Sequence, residues 1–181
     1  MCTILNNRRD AESQSRKSPR LCVSAVKQKM SKEIIKTDTA AKPLGAYPHA
    51  RKVGNLLFLS GIGSRNAIDN SIPGLELDAE GHIIKYDIEA ECHQCFANVK
   101  AVLKASGSSW DKIVDVTVFL TNMKKDFPIY NKIYGDYFTN VEACRTTVEV
   151  KSLPTPIAIE LKVIAVMEKY EKIITNNQDI E

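Results

Sequence analysis

Two cysteines three positions apart, in Cys92-His93-Gln94-Cys95, are the first residues of this 181-residue chain whose types and spacing suggest chemistry. Such a pair can share a zinc ion or form a reactive dithiol. Structural zinc needs about four ligands, and the remaining cysteines, Cys2, Cys22 and Cys144, form no second pair. Glu89 and Glu91 lie beside the motif in what the spacing predicts as mid-helix, where nothing lowers a thiol pKa. The pair therefore reads as two small hydrophobes of a core face. His49, His82 and His93 follow no ligand pattern. No serine lies in a nucleophile elbow, and neither a GxGxxG nor a phosphate loop occurs, so no metal and no cofactor is expected.

Two charges in otherwise strand-like segments remain. Arg145 opens RTTVEV and, by alternation, shares a face with Thr147 and Glu149; Glu160 interrupts IAIELKVIAV between Ile159 and Leu161. A charge so placed is either an edge or surface feature or a buried functional group. Geometry alone favours the surface, where Arg and Glu mostly reside.

The elements that must position these residues are legible in outline. AYPHARKV, Gly54-Asn55 and LLFLSG form a hairpin pattern. Residues 62–86 are a long connection rich in Gly, Asn, Asp and Pro, with one short strand pair at its end. Asp87 caps a helix whose apolar positions Ile88, Cys92, Cys95, Phe96, Val99, Val102 and Leu103 recur at helical spacing up to Gly107. KIVDVTVFL is a β-branched strand, and Asp126-Phe127-Pro128 is expected to open a second helix with Phe127, Tyr130, Ile133, Tyr134, Tyr137 and Phe138 on one face. RTTVEV and IAIELKVIAVME supply two final strands. The order β-β-α-β-α-β-β implies an α+β layer, one mixed sheet with two helices on one face. VTVFL and LLFLS are apolar at successive positions, so the other face is expected to pack against further copies of the chain.

Composition bounds the function. Apolar residues make up 44% and charged residues 26%, ordinary for a globular domain, and no apolar run is long enough to span a membrane. The net charge of +3 is unevenly spread: residues 1–36 hold nine Lys/Arg against three acids, leaving 16 bases and 19 acids in the remainder. A slightly acidic body argues against nucleic acid as the main partner. Residues 1–33 are expected to be a disordered basic leader, 34–168 one domain and 169–181 a polar tail. Irregular cysteine usage points to a reducing, cytoplasmic setting; the Arg/Lys/Ser-rich start leaves a mitochondrial presequence as the alternative.

GAYPHARKVGNLLFLSG, the segment from IEAECHQCF to IYGDYF, and RTTVEVKSLPTPIAIELKVIAV together resemble the Rid family of reactive enamine/imine deaminases, also known as the liver perchloric-acid-soluble protein family. The resemblance implies a chorismate-mutase-like fold assembled as a homotrimer, with a small-molecule site in each cleft between subunits. It matches Arg145 to the arginine that holds the substrate carboxylate and Glu160 to the acid that handles the hydrolytic water. Tyr47, Ser60, Gly61 and Asn131 match other cleft positions, with Thr147 near them. Broad-specificity members carry a cysteine where this chain has Thr147. KPLGAYPHAR, SGIGSRN with Asp69-Asn70, RTTVEV and IELK look more like the 2-aminomuconate deaminase branch. That branch implies a dicarboxylate substrate, and Arg65 is a candidate for its distal carboxylate, although long loops also carry solvated arginines. The alternatives are a broad 2-imino acid deaminase, an endoribonuclease or translation inhibitor, and a protein that binds small molecules without turnover.

Overall fold

The computed structural model describes residues 32–167. The expected leader and presequence (1–31) and the polar tail fall outside the described residues. Nine strands and two helices follow one another: β1 (Lys32–Ile35), β2 (Ala50–Val53), β3 (Leu56–Leu59), β4 (Ile62–Gly63), β5 (Glu76–Leu77), β6 (Ile83–Lys85), α1 (Ile88–Ala105), β7 (Ile113–Leu120), α2 (Met123–Phe138), β8 (Cys144–Glu149) and β9 (Ile159–Val166). The main sheet runs β1-β2-β3-β9-β7-β8, with β4 also paired to β9. Only β7 and β8 are parallel, joined by α2 as the crossover such a pair requires. The expected α+β layer is present, with both helices over one face.

The β2–β3 hairpin closes at Gly54-Asn55, where Gly54 has φ +63°, a conformation a side chain would resist. Asp87 caps α1 by accepting from the Ala90 amide at 3.1 Å. The helix ends in a Schellman motif, with Ser108 N donating to Leu103 O and Gly107 N to Lys104 O. Its apolar stripe of Cys92, Cys95, Phe96, Val99, Val102 and Leu103 is fully buried against Leu57, Leu59, Val116, Val118, Leu161 and Val163 of the sheet. Phe96, Trp110, Tyr137 and Phe138 interlock at centroid distances of 4.6–6.0 Å and fasten α2 to α1.

Three boundaries differ from expectation. Lys32 and Glu33, assigned to the leader, belong to β1, whose residues pair with Ala50–Val53. Ile62 and Gly63, assigned to the long connection, form β4 against Leu161 and Glu160. Helix α2 starts at Met123, three residues before Asp126. Asn122 accepts from Lys125 N at 3.1 Å and Glu149 of β8 accepts from Met123 N at 2.6 Å, so the helix end is capped from a distant strand.

The second face of the sheet has no helix. Partners in register place Ile34, Arg51, Phe58, Ile164, Asp115, Thr117, Phe119, Glu160, Lys162, Thr146 and Val148 on it. Ile34, Phe58 and Val148 stand exposed there. Among the described residues no helix is long and apolar enough to cross a membrane.

Candidate functional site

The residues singled out in the sequence fall into two groups. Tyr47, Ser60, Gly61 and Arg65 line one pocket, together with His49, Ile62, Gly63 and Asn98. Glu160 adjoins it: a Cβ built on Gly61 would overlap the Glu160 carboxylate, so only glycine lets the backbone pass this close. Glu160 is half-buried and has no ion-pair partner among the described residues. Burial pushes its carboxyl above the ordinary value, and no neighbouring cation offsets it. A carboxyl raised in this way can take a proton from a neighbouring group and return it.

The pocket's polar groups are firmly held. Ser60 donates its hydroxyl to Pro48 O at 2.6 Å, which commits its only proton. His49 is buried; its Nδ1 accepts from Thr37 N at 3.3 Å and its Nε2 lies 3.1 Å from Ala41 O. The Thr37 amide can only donate and the Ala41 carbonyl only accept, so His49 is the neutral Nε2–H tautomer and a structural strut. Arg65 is not a freely solvated loop side chain. Its Nη1 donates to Asn70 Oδ1 at 2.8 Å and its Nη2 to Lys42 O at 2.7 Å, and it is half-buried. Neither partner is charged, so the guanidinium is held in place with its charge unneutralised.

The second group lies under α2. Arg145 donates to Asn131 Oδ1 at 3.0 Å, and its guanidinium carbon stands 4.5 Å from the Tyr134 ring centroid. Stacking on an aromatic face and one amide contact orient the fork while leaving other N–H groups free. The hydroxyls of Tyr130, Tyr134 and Thr147 are buried nearby without a hydrogen-bond partner. Burial, the dominant influence, raises the phenols of both tyrosines despite Arg145. They are neutral donors at physiological pH.

One chain does not bring Arg145 and Glu160 together. Arg145 is opposite Val116, whose side chain is in the helix-covered core, while Glu160 is opposite Phe119. An odd offset of three places the two side chains on opposite faces of the sheet. With strands ~4.8 Å apart and ~3.3 Å per residue, their Cα atoms are ~14 Å apart. The two charges cannot hold one small molecule within a single copy.

Other candidates resolve as structural. Cys92 and Cys95 are buried; burial pushes the Cys92 thiol up to about 12 and Cys95 well above its usual value, and Cys95 Sγ donates to Ile62 O at 3.1 Å. The motif is a core feature, as its mid-helix position implied. Sequence reasoning passed over Glu91 and Asn98, both buried. They lie on the same helical stripe as Ile88, Cys95 and Val102, so polar residues at core spacing were the available signal. Tyr134, expected on the apolar face of the second helix, also carries the Arg145 guanidinium on its ring.

The sheet thus carries a held arginine on its helix-covered face and a half-buried carboxyl on the other. The chain belongs to the Endoribonuclease L-PSP family, also called the Rid or RutC family, whose model matches residues 37–167. It is 39% identical over 140 residues to a RutC family protein of Pyrococcus abyssi, covering 77% of this chain and all of that protein. It is 34% identical to a 2-iminobutanoate/2-iminopropanoate deaminase of Dermatophagoides farinae, covering 76% of this chain and 98% of the relative. The solved structure of a Rid family protein from Yersinia pestis superimposes with a TM-score of 0.66 at 33% identity, covering 76% of this chain and all of that one.

Proposed function

We propose that this chain is an enamine/imine deaminase, converting a 2-imino acid and water to a 2-keto acid and ammonia. The observation that carries the reading is an arginine held by Asn131 and Tyr134 on one face of the sheet and a half-buried, raised Glu160 carboxyl beside Gly61 on the other. Relatives named as a reactive intermediate deaminase and as a 2-iminobutanoate/2-iminopropanoate deaminase support the same chemistry.

The half-sites meet when a second copy presents its Glu160 face to the first copy's Arg145, and a homotrimer with three such clefts fits the unpaired sheet face. Arg145 grips the carboxylate next to the reacting carbon through charge-assisted bonds and so fixes the imine carbon. An enamine first tautomerises to the imine. Glu160 of the neighbouring copy takes a proton from water as the oxygen adds to that carbon. Glu160 passes that proton to the nitrogen, giving the carbinolamine, and on its collapse carries the hydroxyl proton to the amine as the C–N bond breaks and the C=O bond forms, so both protons of the water leave on ammonia. Thr147 stands where a thiol is found in broad-specificity relatives; its hydroxyl has no base beside it and serves to bind rather than attack.

Within this class we assign a dicarboxylate such as 2-aminomuconate as the preferred substrate. Arg65 supports the assignment as a second, fixed cation in the Glu160 pocket, suited to a distal carboxylate whose proximal partner is on Arg145. The test is ammonia release from 2-aminomuconate and from 2-aminoacrylate by nuclease-free protein, with RNA as a third substrate. Faster turnover of the dicarboxylate is expected. Equal rates return the chain to broad imine scavenging, and RNA cleavage without ammonia release overturns the deaminase reading.

A further inference from the structure

The segment that carries Arg65 is held by a polar seam on α1. Cys95 Sγ donates to Ile62 O, Asn98 Nδ2 donates to both Gly63 O and Arg65 O at 2.8 Å, and Glu91 Oε2 accepts from Ser64 Oγ at 2.7 Å. Glu91, Cys95 and Asn98 are spaced i, i+4, i+7 and so lie along one stripe of the helix. Asn98 is 3% exposed and its own Oδ1 accepts from Gln94 Nε2 at 3.0 Å. Two carbonyls on one side and an amide donor on the other permit only one orientation of its side chain.

The two carbonyls are not equally dependent on it. Gly63 is also fixed by the β4–β9 ladder, opposite Glu160. Arg65 lies two residues past the last ladder pair, and Asn98 is the partner of its carbonyl. From that point the side chain reaches Asn70 and Lys42 O, and Asn70 itself has φ +62°. Arg65's guanidinium is therefore located by a chain of contacts that begins at Asn98.

We propose that Asn98 is a positioning residue for substrate selection: by fixing the Arg65 main chain from α1 it sets where the second cation stands, and with it the preference for an enamine or imine carrying two carboxylates. The proposal rests on the Arg65 role given above. Its donors are used by carbonyls, so Asn98 acts through Arg65 rather than on substrate.

The test compares Asn98→Ala, Arg65→Ala and the double variant on 2-aminomuconate and 2-aminoacrylate. Displacing a binding group by ~1 Å costs up to ~100-fold. Asn98→Ala is expected to lower kcat/KM for the dicarboxylate about tenfold more than for the monocarboxylate, chiefly through KM, and to add nothing in the Arg65→Ala background. Should Asn98→Ala not fold, Gln94→Ala, which removes only the support of Asn98 Oδ1, is expected to shift the same ratio in the same direction. A selective loss in Arg65→Ala without one in the Asn98 or Gln94 variant overturns the positioning role and leaves Arg65 intact. No selective loss in Arg65→Ala overturns both. Equal losses on the two substrates in Asn98→Ala reduce the residue to a structural one.

Discussion

Replacing Gly61 by alanine perturbs the carboxyl proposed for proton transfer, Glu160, without changing it chemically. The added methyl would overlap Glu160's carboxyl group, which supplies its three nearest atoms. The atoms it meets are the far end of a flexible, half-buried side chain, which can rotate away. An off-rotamer side chain costs ~0.5–1.5 kcal/mol, which bounds the stability loss. The effect on turnover is larger, because a proton-transfer group contributes ~10²–10⁴-fold and works only within hydrogen-bond reach. Gly61→Ala is therefore expected to cut kcat/KM about 100-fold on every imine substrate, with a urea midpoint close to that of the parent. Ammonia release measured by a coupled assay reads the first quantity and chemical unfolding the second. In a Glu160→Ala background, where the clash partner is gone, the same substitution should have little further effect. Activity within twofold of the parent in Gly61→Ala, or an undiminished further loss in the double variant, would refute the link between Gly61 and Glu160.

Arg145→Lys keeps the charge but loses the planar fork. Without bonds of ~1.5–3 kcal/mol, kcat/KM should fall ~10- to 150-fold with folding intact, and near-normal turnover would make Arg145 structural. Because burial raises the Glu160 carboxyl, kcat/KM should lose its acid limb at a pH above 4.5, as the base is protonated on lowering pH. Glu160→Gln should lower the rate and flatten that limb; an unchanged profile assigns the proton transfer elsewhere. Burial also raises Glu91 and Asp126, so the folded chain binds these protons more tightly than the unfolded one. Their contribution to stability is full below the unfolded values of 4.5 and 3.8 and is lost as pH rises through the folded ones. The urea midpoint should thus increase as pH is lowered through the folded values of these groups toward 4.5, and a decrease would contradict the shifts. Peptide mapping after brief alkylation should find Cys92 and Cys95 protected until the chain is denatured.

What the sequence revealed depended on whether the signal was local. Helix α1 is readable because its cap Asp87, its apolar spacing and Gly107 just past its end are contiguous in sequence, and the β2–β3 hairpin because Gly54 sits at its turn. The start of α2 is not, since Pro128 looks like a first-turn proline while the true cap includes Glu149, 26 residues on. Strands β1 and β4 have four and two residues and are defined only by their partners. Arg145 and Glu160 stood out as charges in apolar strands, but their placement on opposite faces follows from the pairing of β8 and β9 with β7. Arg65's confinement comes from Lys42, 23 residues away, and from the left-handed turn at Asn70, neither of which a pattern of residue types discloses.

The central claim, that the deaminase site is completed by two copies of the chain, is tested most directly by mixing two inactive variants. Arg145→Ala and Glu160→Ala proteins are unfolded together in equal amounts, refolded, and assayed for ammonia release from a 2-imino acid. If each site takes its arginine from one copy and its glutamate from the next, random assembly makes about a quarter of the sites fully equipped, and the mixture should recover about a quarter of the parent activity. Activity no greater than that of the two variants refolded separately would contradict the account.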